Sequence, residues 1–165
     1  MAENIKDLFD HFHQTGTVTW IGVRPHKKAA LESVPQVEVN DGGLVGDHYQ
    51  GQSGKRHVTL IQAEHLTTLS AILGKDVTPE LTRRNIVVSG INLLSLTDKQ
   101  FKIGNDVVLE ATGLYHPCSR MEENLGFGGY NAMRGHGGIT AKVIKGGEIR
   151  VGAALQVLRA AKTAE

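Results

Sequence analysis

Apolar residues recur along the chain with two periods. Residues 4–13 place Ile5, Leu8, Phe9 and Phe12 at helical spacing, which predicts a short amphipathic helix ended by Gly16. Residues 17–23 (TVTWIGV) are β-branched and aromatic and predict a strand, which Arg24-Pro25 breaks. Residues 36–39 alternate as a second strand, and the loop 40–54 with its DGG, GD and GQSG turns follows. Residues 57–61 (HVTLI) predict the next strand. Residues 63–73 then line Leu66, Leu69, Ile72 and Leu73 on one helical face, with Gly74 suited to the cap. Thr78-Pro79-Glu80 predicts a short helical turn with proline at its first position. Further strands are expected at 85–88, 101–103, 107–111, 140–144, 148–151 and 154–158. Residues 114–138 are glycine-rich and irregular, and so long a loop inside a compact domain is usually functional or disordered. Short strands with two or three helices predict a mainly β fold, a barrel or folded sheet with its helices outside.

Length and composition narrow the class. The chain has 165 residues, enough for one ordinary domain with a full core, and is read as a single domain with a helical extension at 1–14 and a core at 17–158. A 40% hydrophobic and 21% charged composition is globular, and 20 glycines with 5% aromatics favour a turn-rich β fold. A net charge of +1 leaves no broad footprint for nucleic acid or an anionic membrane, although a local basic patch is compatible with it. No stretch nears the ~20 apolar residues of a membrane span, and the polar start MAENIKDLFDHFHQ lacks the apolar core of a signal peptide. A single cysteine excludes an internal disulfide and fits a reducing, cytoplasmic setting.

That cysteine is the first candidate for chemistry. Cys118 lies in Tyr115-His116-Pro117-Cys118-Ser119-Arg120. A free cysteine is most often a buried, inert thiol. Its neighbours point the other way. In an extended segment His116 and Arg120 project to the same side as Cys118, and positive charge beside a thiol favours the thiolate, which attacks and binds soft metals. Two basic clusters stand at strand entrances, Lys55-Arg56-His57 and Arg83-Arg84-Asn85. Each can be a solvated charged end. With Arg120 and Arg134 they can instead form an anion site, since the planar guanidinium fork suits phosphate. Asp47-His48 reads better as a turn-capping aspartate and a surface histidine than as a metal pair. There is no nucleotide-binding motif: Tyr49 stands where a P-loop needs glycine, and Gly126-Phe127-Gly128 lacks the third glycine of a dinucleotide turn. No G-x-S-x-G elbow and no zinc-binding spacing occur.

Taken in order, several segments resemble the MOSC domain, named for the C-terminal part of molybdenum cofactor sulfurases. They are Gly43-Leu44-Val45-Gly46-Asp47-His48, then Arg56-His57-Val58-Thr59-Leu60-Ile61-Gln62-Ala63-Glu64, then Asn85-Ile86-Val87-Val88-Ser89-Gly90-Ile91. Ile103-Gly104, Pro117-Cys118 and the run from Gly138 to Ile149 complete the order, so that the resemblance spans about residues 17–158. It implies a MOSC-type β-barrel-like fold. It further implies a cysteine that handles sulfur or ligates molybdenum. Larger relatives bind the molybdenum cofactor, a pterin carrying a dithiolene and a phosphate. Some reduce N-hydroxylated compounds, others are regarded as sulfur carriers, and binding of pyridoxal phosphate is associated with the family as a whole.

Carried over residue by residue, the resemblance makes Cys118 the sulfur carrier or metal ligand. Arg83 and Asn85 match an R-x-N element associated with the cofactor, and Lys55, Arg56 and Thr59 match a basic strand entrance facing its phosphate or pterin. Arg120 and Arg134 are added on charge and position alone. Three departures stand out. The separate N-terminal barrel module and the fused sulfurase or ferredoxin domains of larger relatives have no counterpart here. Met121 stands where one branch has a second cysteine, three residues after the first, and Gly152-Ala153 replaces a closing Gly-Asp. The first expectation is therefore a molybdenum-cofactor protein reducing N-hydroxylated substrates with an external electron donor. The second is a carrier of persulfide on Cys118, loaded by a cysteine desulfurase. The third is a domain that only binds a small anion or a partner protein.

Overall fold

The computed structural model describes residues 4–48, 54 and 57–158. The elements run α1 (Ile5–Leu8), β1 (Gly16–Val23), β2 (Glu32–Ser33), β3 (Gln36–Asn40), β4 (Gly43–Leu44), β5 (Val58–Gln62), α2 (Ala63–Leu73), α3 (Pro79–Thr82) and β6 (Ile86–Ser89). A 3-10 turn (Leu93–Leu96) follows, then β7 (Gln100–Ile103), β8 (Val107–Leu114), α4 (Ser119–Leu125), α5 (Gly129–Met133), β9 (Ile139–Lys145), β10 (Gly147–Arg150) and β11 (Ala154–Val157).

Seven strands close into a barrel in the order β11-β7-β8-β9-β5-β6-β1, sealed where Gly16 and Thr17 of β1 pair with Leu155 and Ala154 of β11. The strand β2 extends β1, and β10-β3-β4 form a separate antiparallel sheet. One pair, β5 with β6, is parallel. A parallel pair needs a long crossover, and α2 with α3 supplies it.

Alternation along the strands separates two cores. Leu60, Ile86 and Val88 enter one cluster with Val18, Phe101, Ile103, Leu109, Ile139 and Leu155. Their neighbours Ile61 and Val87 point the opposite way and pack with Leu69, Val77, Met121, Leu125, Ala132 and Met133 beneath the helices. A register shift in β1 between Val18 and Trp20 lets Ile21 join the first cluster while Trp20 packs against the second. Burying each such aliphatic side chain contributes about 1.5–3 kcal/mol, so the second cluster anchors α4, and with it Cys118, firmly to the barrel wall.

Two segments differ from the sequence expectation. The helix expected over 4–13 is confined to Ile5–Leu8, capped by Asn4, whose Oδ1 accepts from Lys6 N at 3.0 Å. Ile5, Leu8 and Phe9 stay exposed and only Phe12 packs on the core, so no burial offsets the cost of further turns. The irregular stretch 114–138 holds two helices. The Glu122 carboxylate joins them by accepting from Gly128 N and Tyr130 N, each at 2.9 Å. These two N–H donors hold the Glu122 carboxyl below the usual carboxylate range. Glycine is required at 129, where a Cβ would stand 2.6 Å from both the Met121 carbonyl oxygen and the Leu125 Cβ. No helix among the described residues is long and apolar enough to cross a membrane.

Candidate functional site

A buried polar network sets the floor of the site. Asn85 precedes β6, and its Nδ2 donates to the Gly22 carbonyl at 3.0 Å and to Asp47 Oδ1 at 3.4 Å. Its Oδ1 accepts from the Thr59 hydroxyl at 3.0 Å, and that hydroxyl oxygen accepts from Asn85 N at 3.0 Å. Asp47 Oδ1 also accepts from the backbone N–H of Arg24 at 2.7 Å, and the Arg24 carbonyl accepts from His48 N at 2.5 Å. Three strands and the 47–48 turn are thereby tied together directly after β1, where the chain releases the Arg24 side chain.

Arg83 lies two residues before Asn85 and is half-buried. It is the C-cap of α3 in the left-handed conformation, φ 60° and ψ 26°. A non-glycine residue there is strained. Desolvation, followed by the charges of Arg24 and Arg120, holds the Arg83 guanidinium below its ordinary pKa, while Tyr115 and Cys118 act in the opposite sense. The Arg24 and Arg120 guanidiniums and the Cys118 thiol thus all act electrostatically on Arg83. Among the described residues none of the three makes an ion pair, and Arg24 Nε is buried with no hydrogen-bond partner.

Arg84, next in sequence, does the reverse. It is 1% exposed. Nε donates to the Gly137 carbonyl at 2.8 Å, Nη1 to the Thr82 carbonyl at 2.8 Å, and Nη2 to the Tyr115 carbonyl at 3.4 Å. Nη1 also lies 3.9 Å from Met121 Sδ, and the guanidinium carbon sits 3.7 Å from the Tyr115 ring centroid. Arg84 is thus a strut through the end of α3, the Tyr115 loop, α4 and the turn before β9. Glycine is needed at that turn: a Cβ on Gly137 would collide with the Tyr115 carbonyl and one on Gly138 with the Leu60 carbonyl. Gly138 in turn accepts from Tyr115 N at 2.8 Å. Beside this turn, His136 and His65 of α2 meet edge to face, with ring centroids 5.0 Å apart and His136 Nδ1 2.9 Å from the Ala132 carbonyl.

The Tyr115 loop delivers Cys118 to the surface. The residue is extended, φ −122° and ψ 177°, at the N-cap of α4, and its side chain makes no capping bond. The thiol is free and exposed. The extended geometry expected through Arg120 ends at Cys118, because Ser119 starts the helix and Arg120 rides on its first turn. Three residues after Cys118, Met121 points inward and is fully buried. A side chain there faces the second core rather than the solvent side of Cys118.

The expected site residues thus fall into three groups. Arg83 and Arg120 are half-buried and Cys118 is exposed, and the charges of Arg120 and Cys118 both act on Arg83. Thr59 and Asn85 are buried, with polar atoms engaged in the network. Arg134, the C-cap of α5, is exposed and is not among the charges that act on Arg83. Lys55 and Arg56 lie outside the described residues. Arg24 was missed by sequence reasoning. It reads there as the residue before a proline, and only the pairing of β1 with β6 brings it to Asn85 and Arg83. Among the described residues no group of three or more His, Cys, Asp or Glu side chains gathers as a metal site.

The MOSC domain family model matches residues 36–156. The chain is similar in structure to the YuaD protein of Bacillus subtilis, with a TM-score of 0.79 and 18% identity over 89% of this chain and 98% of that one. It is also similar to YiiM of Geobacillus stearothermophilus (TM-score 0.71, 16% identity, 87% of this chain and 75% of that). YiiM of Escherichia coli gives a TM-score of 0.68 at 17% identity, over 88% of this chain and 70% of that. No curated protein matches the chain in sequence.

Proposed function

The chain belongs to the MOSC domain family, and from that premise we propose that it binds the molybdenum cofactor, with Cys118 as the thiol ligand and Arg24, Arg83 and Arg120 as the anion holders. One observation carries the reading: Arg24 and Arg120, like the exposed Cys118 thiol, act electrostatically on Arg83, none of the three arginines has an ion pair among the described residues, and Arg24 Nε is buried without a partner. The donor set fits the group. A thiolate is a soft ligand, and arginine forks match the oxygens of a phosphate. When bound, the cofactor supplies redox chemistry at molybdenum. The chain's own residues bind and orient. The guanidiniums neutralise the anion, the Thr59–Asn85–Asp47 network fixes the backbone beneath Arg24, and Arg84 fixes the loop that presents Cys118. In this reading the substrates are N-hydroxylated compounds, and a partner protein supplies the electrons.

The accessibility of Cys118 also supports a second reading, a sulfur carrier. Its thiol makes no capping bond and is open to a donor, as persulfide exchange requires. Metal and pterin content separates the two. Wild type and Cys118→Ser are expressed in a host that makes the cofactor and purified without air. Near-stoichiometric molybdenum and pterin in wild type, lost in the variant, is the expected result. Absence of both from wild type overturns the cofactor reading and leaves the carrier.

A further inference from the structure

Two histidines join α2 to the turn that seats Arg84. His65 and His136 meet with ring centroids 5.0 Å apart and planes inclined at 76°. His136 Nδ1 donates to the Ala132 carbonyl at 2.9 Å, which leaves the lone pair of a neutral ring at Nε2. His65 Nδ1 is buried and has no hydrogen-bond partner. In a neutral ring this nitrogen can carry an unused lone pair. Protonated, it becomes a charged donor with no acceptor. A proton on each ring also sets two like charges side by side. Glu64, next to His65, opposes His136, and its Oε2 accepts from Gly90 N at 3.1 Å. The strands under α2, β5 and β6, carry no titratable side chain, and α5 carries only Tyr130. The turn itself adds Arg134, and Arg84, a further cation, donates to Gly137.

The turn reads Arg134-Gly135-His136-Gly137-Gly138, with Gly135 at φ 80° and Gly138 at φ 82°. The Gly137 carbonyl accepts from Arg84 Nε and the Gly138 carbonyl from Tyr115 N, both at 2.8 Å. Movement of His136 away from α2 therefore reaches the Tyr115 loop through two successive carbonyls. We propose that the His65–His136 pair is a proton-sensitive latch: with both rings neutral it holds the 134–138 turn against α2, and acid releases the turn together with the loop that presents Cys118. In the closed state burial and the neighbouring ring resist protonation of His65. The released turn takes up protons more readily, so acidification favours release. The change falls below about pH 6.5, the ordinary value of an imidazole. The latch acts on the loop whichever ligand or sulfur species Cys118 meets.

Amide hydrogen exchange on the full wild-type chain tests this, read as protection factors at about pH 7.5 and 5.5 so that the intrinsic pH dependence of exchange cancels. The Tyr115 N–H, bonded to the Gly138 carbonyl, is expected to lose protection roughly tenfold on acidification. It should remain less protected than the amides of β5. The Val151 N–H, bonded to the Pro35 carbonyl just after β10, should keep its protection. In His65→Gln, and again in His136→Gln, the drop at Tyr115 should shrink. Unchanged Tyr115 protection in wild type overturns the proposal. Tyr115 protection equal to that of the β5 amides at the lower pH overturns it too, because the loop then opens only with the whole fold. A drop of wild-type size in both variants assigns the effect to other groups and likewise removes the latch.

Discussion

Arg84 touches Tyr115 twice, lying 3.7 Å from its ring centroid and donating to its carbonyl oxygen at 3.4 Å. One side chain therefore fixes both the plane and the backbone of the residue three places before Cys118. Arg84→Met should destabilise the fold by roughly 3 kcal/mol, because the carbonyls of Thr82, Tyr115 and Gly137 lose their donor. Arg84→Lys should restore little of this, since an ammonium has no planar fork to serve three carbonyls and stack on a ring. Urea unfolding measures the loss. Faster alkylation of Cys118 well below the unfolding transition would report the loosened loop.

The neighbouring arginine should behave in the opposite way. Arg83 is half-exposed and left-handed, and its side chain has no ion pair among the described residues. Arg83→Gly is expected to leave stability unchanged or raise it by up to ~1 kcal/mol, as the strain of φ 60° is relieved. Retention of the anionic ligand should fall at the same time. A clear loss of stability in Arg83→Gly would mean that the side chain has a structural role.

Asn85→Ala is predicted to cost about 2–4 kcal/mol, since it strips partners from Thr59, Gly22 and Asp47 in a buried place. Loss of ligand in this variant should follow unfolding and recover where the fold is held by osmolyte. Loss that persists in a fully folded Asn85→Ala chain would give Asn85 a direct contact.

Stability should fall on mild acidification. Burial, then the neighbouring His136, hold His65 below its ordinary pKa, with Glu64 opposing. The unfolded chain therefore takes up this proton first. The contribution of neutral His65 is complete above about pH 6.5. It declines as pH drops from there through the folded value and is level beneath it. Urea midpoints at pH 7.5 and 5.5 check this. His65→Gln should shrink the difference between them, and an unchanged difference would assign the effect to other groups.

The strands were legible because their pattern is local. β-branched runs at 17–23 and 57–61 and the amphipathic face of α2 announce themselves, and the structure has β1, β5 and α2 there. The two-residue strands β2 and β4 carry too little pattern to read, and the parallel β5–β6 pair depends on contacts distant in sequence. In 114–138 the glycines mask two helices whose inward residues Met121, Leu125 and Met133 are spaced as a helix requires. Cys118 and Arg83 are candidates from the sequence, and the structure has an exposed thiol at Cys118 whose charge acts on Arg83. Two adjacent arginines look alike in sequence, yet the turn of the chain at α3 sends Arg83 to the surface and Arg84 into the interior. Arg24 needed the barrel itself, since only strand pairing brings residue 24 beside residue 83.

Trp20, the chain's one tryptophan, packs against the same cluster as Met121. Its ring also covers Gly22, where an added Cβ would run into it. Its emission is therefore an internal optical gauge of the layer that supports the thiol. A blue-shifted spectrum that persists while ligand is lost locates a defect at the surface, whereas a red shift locates it in the layer beneath. Each variant proposed above can be assigned to one class or the other without any label attached to the protein.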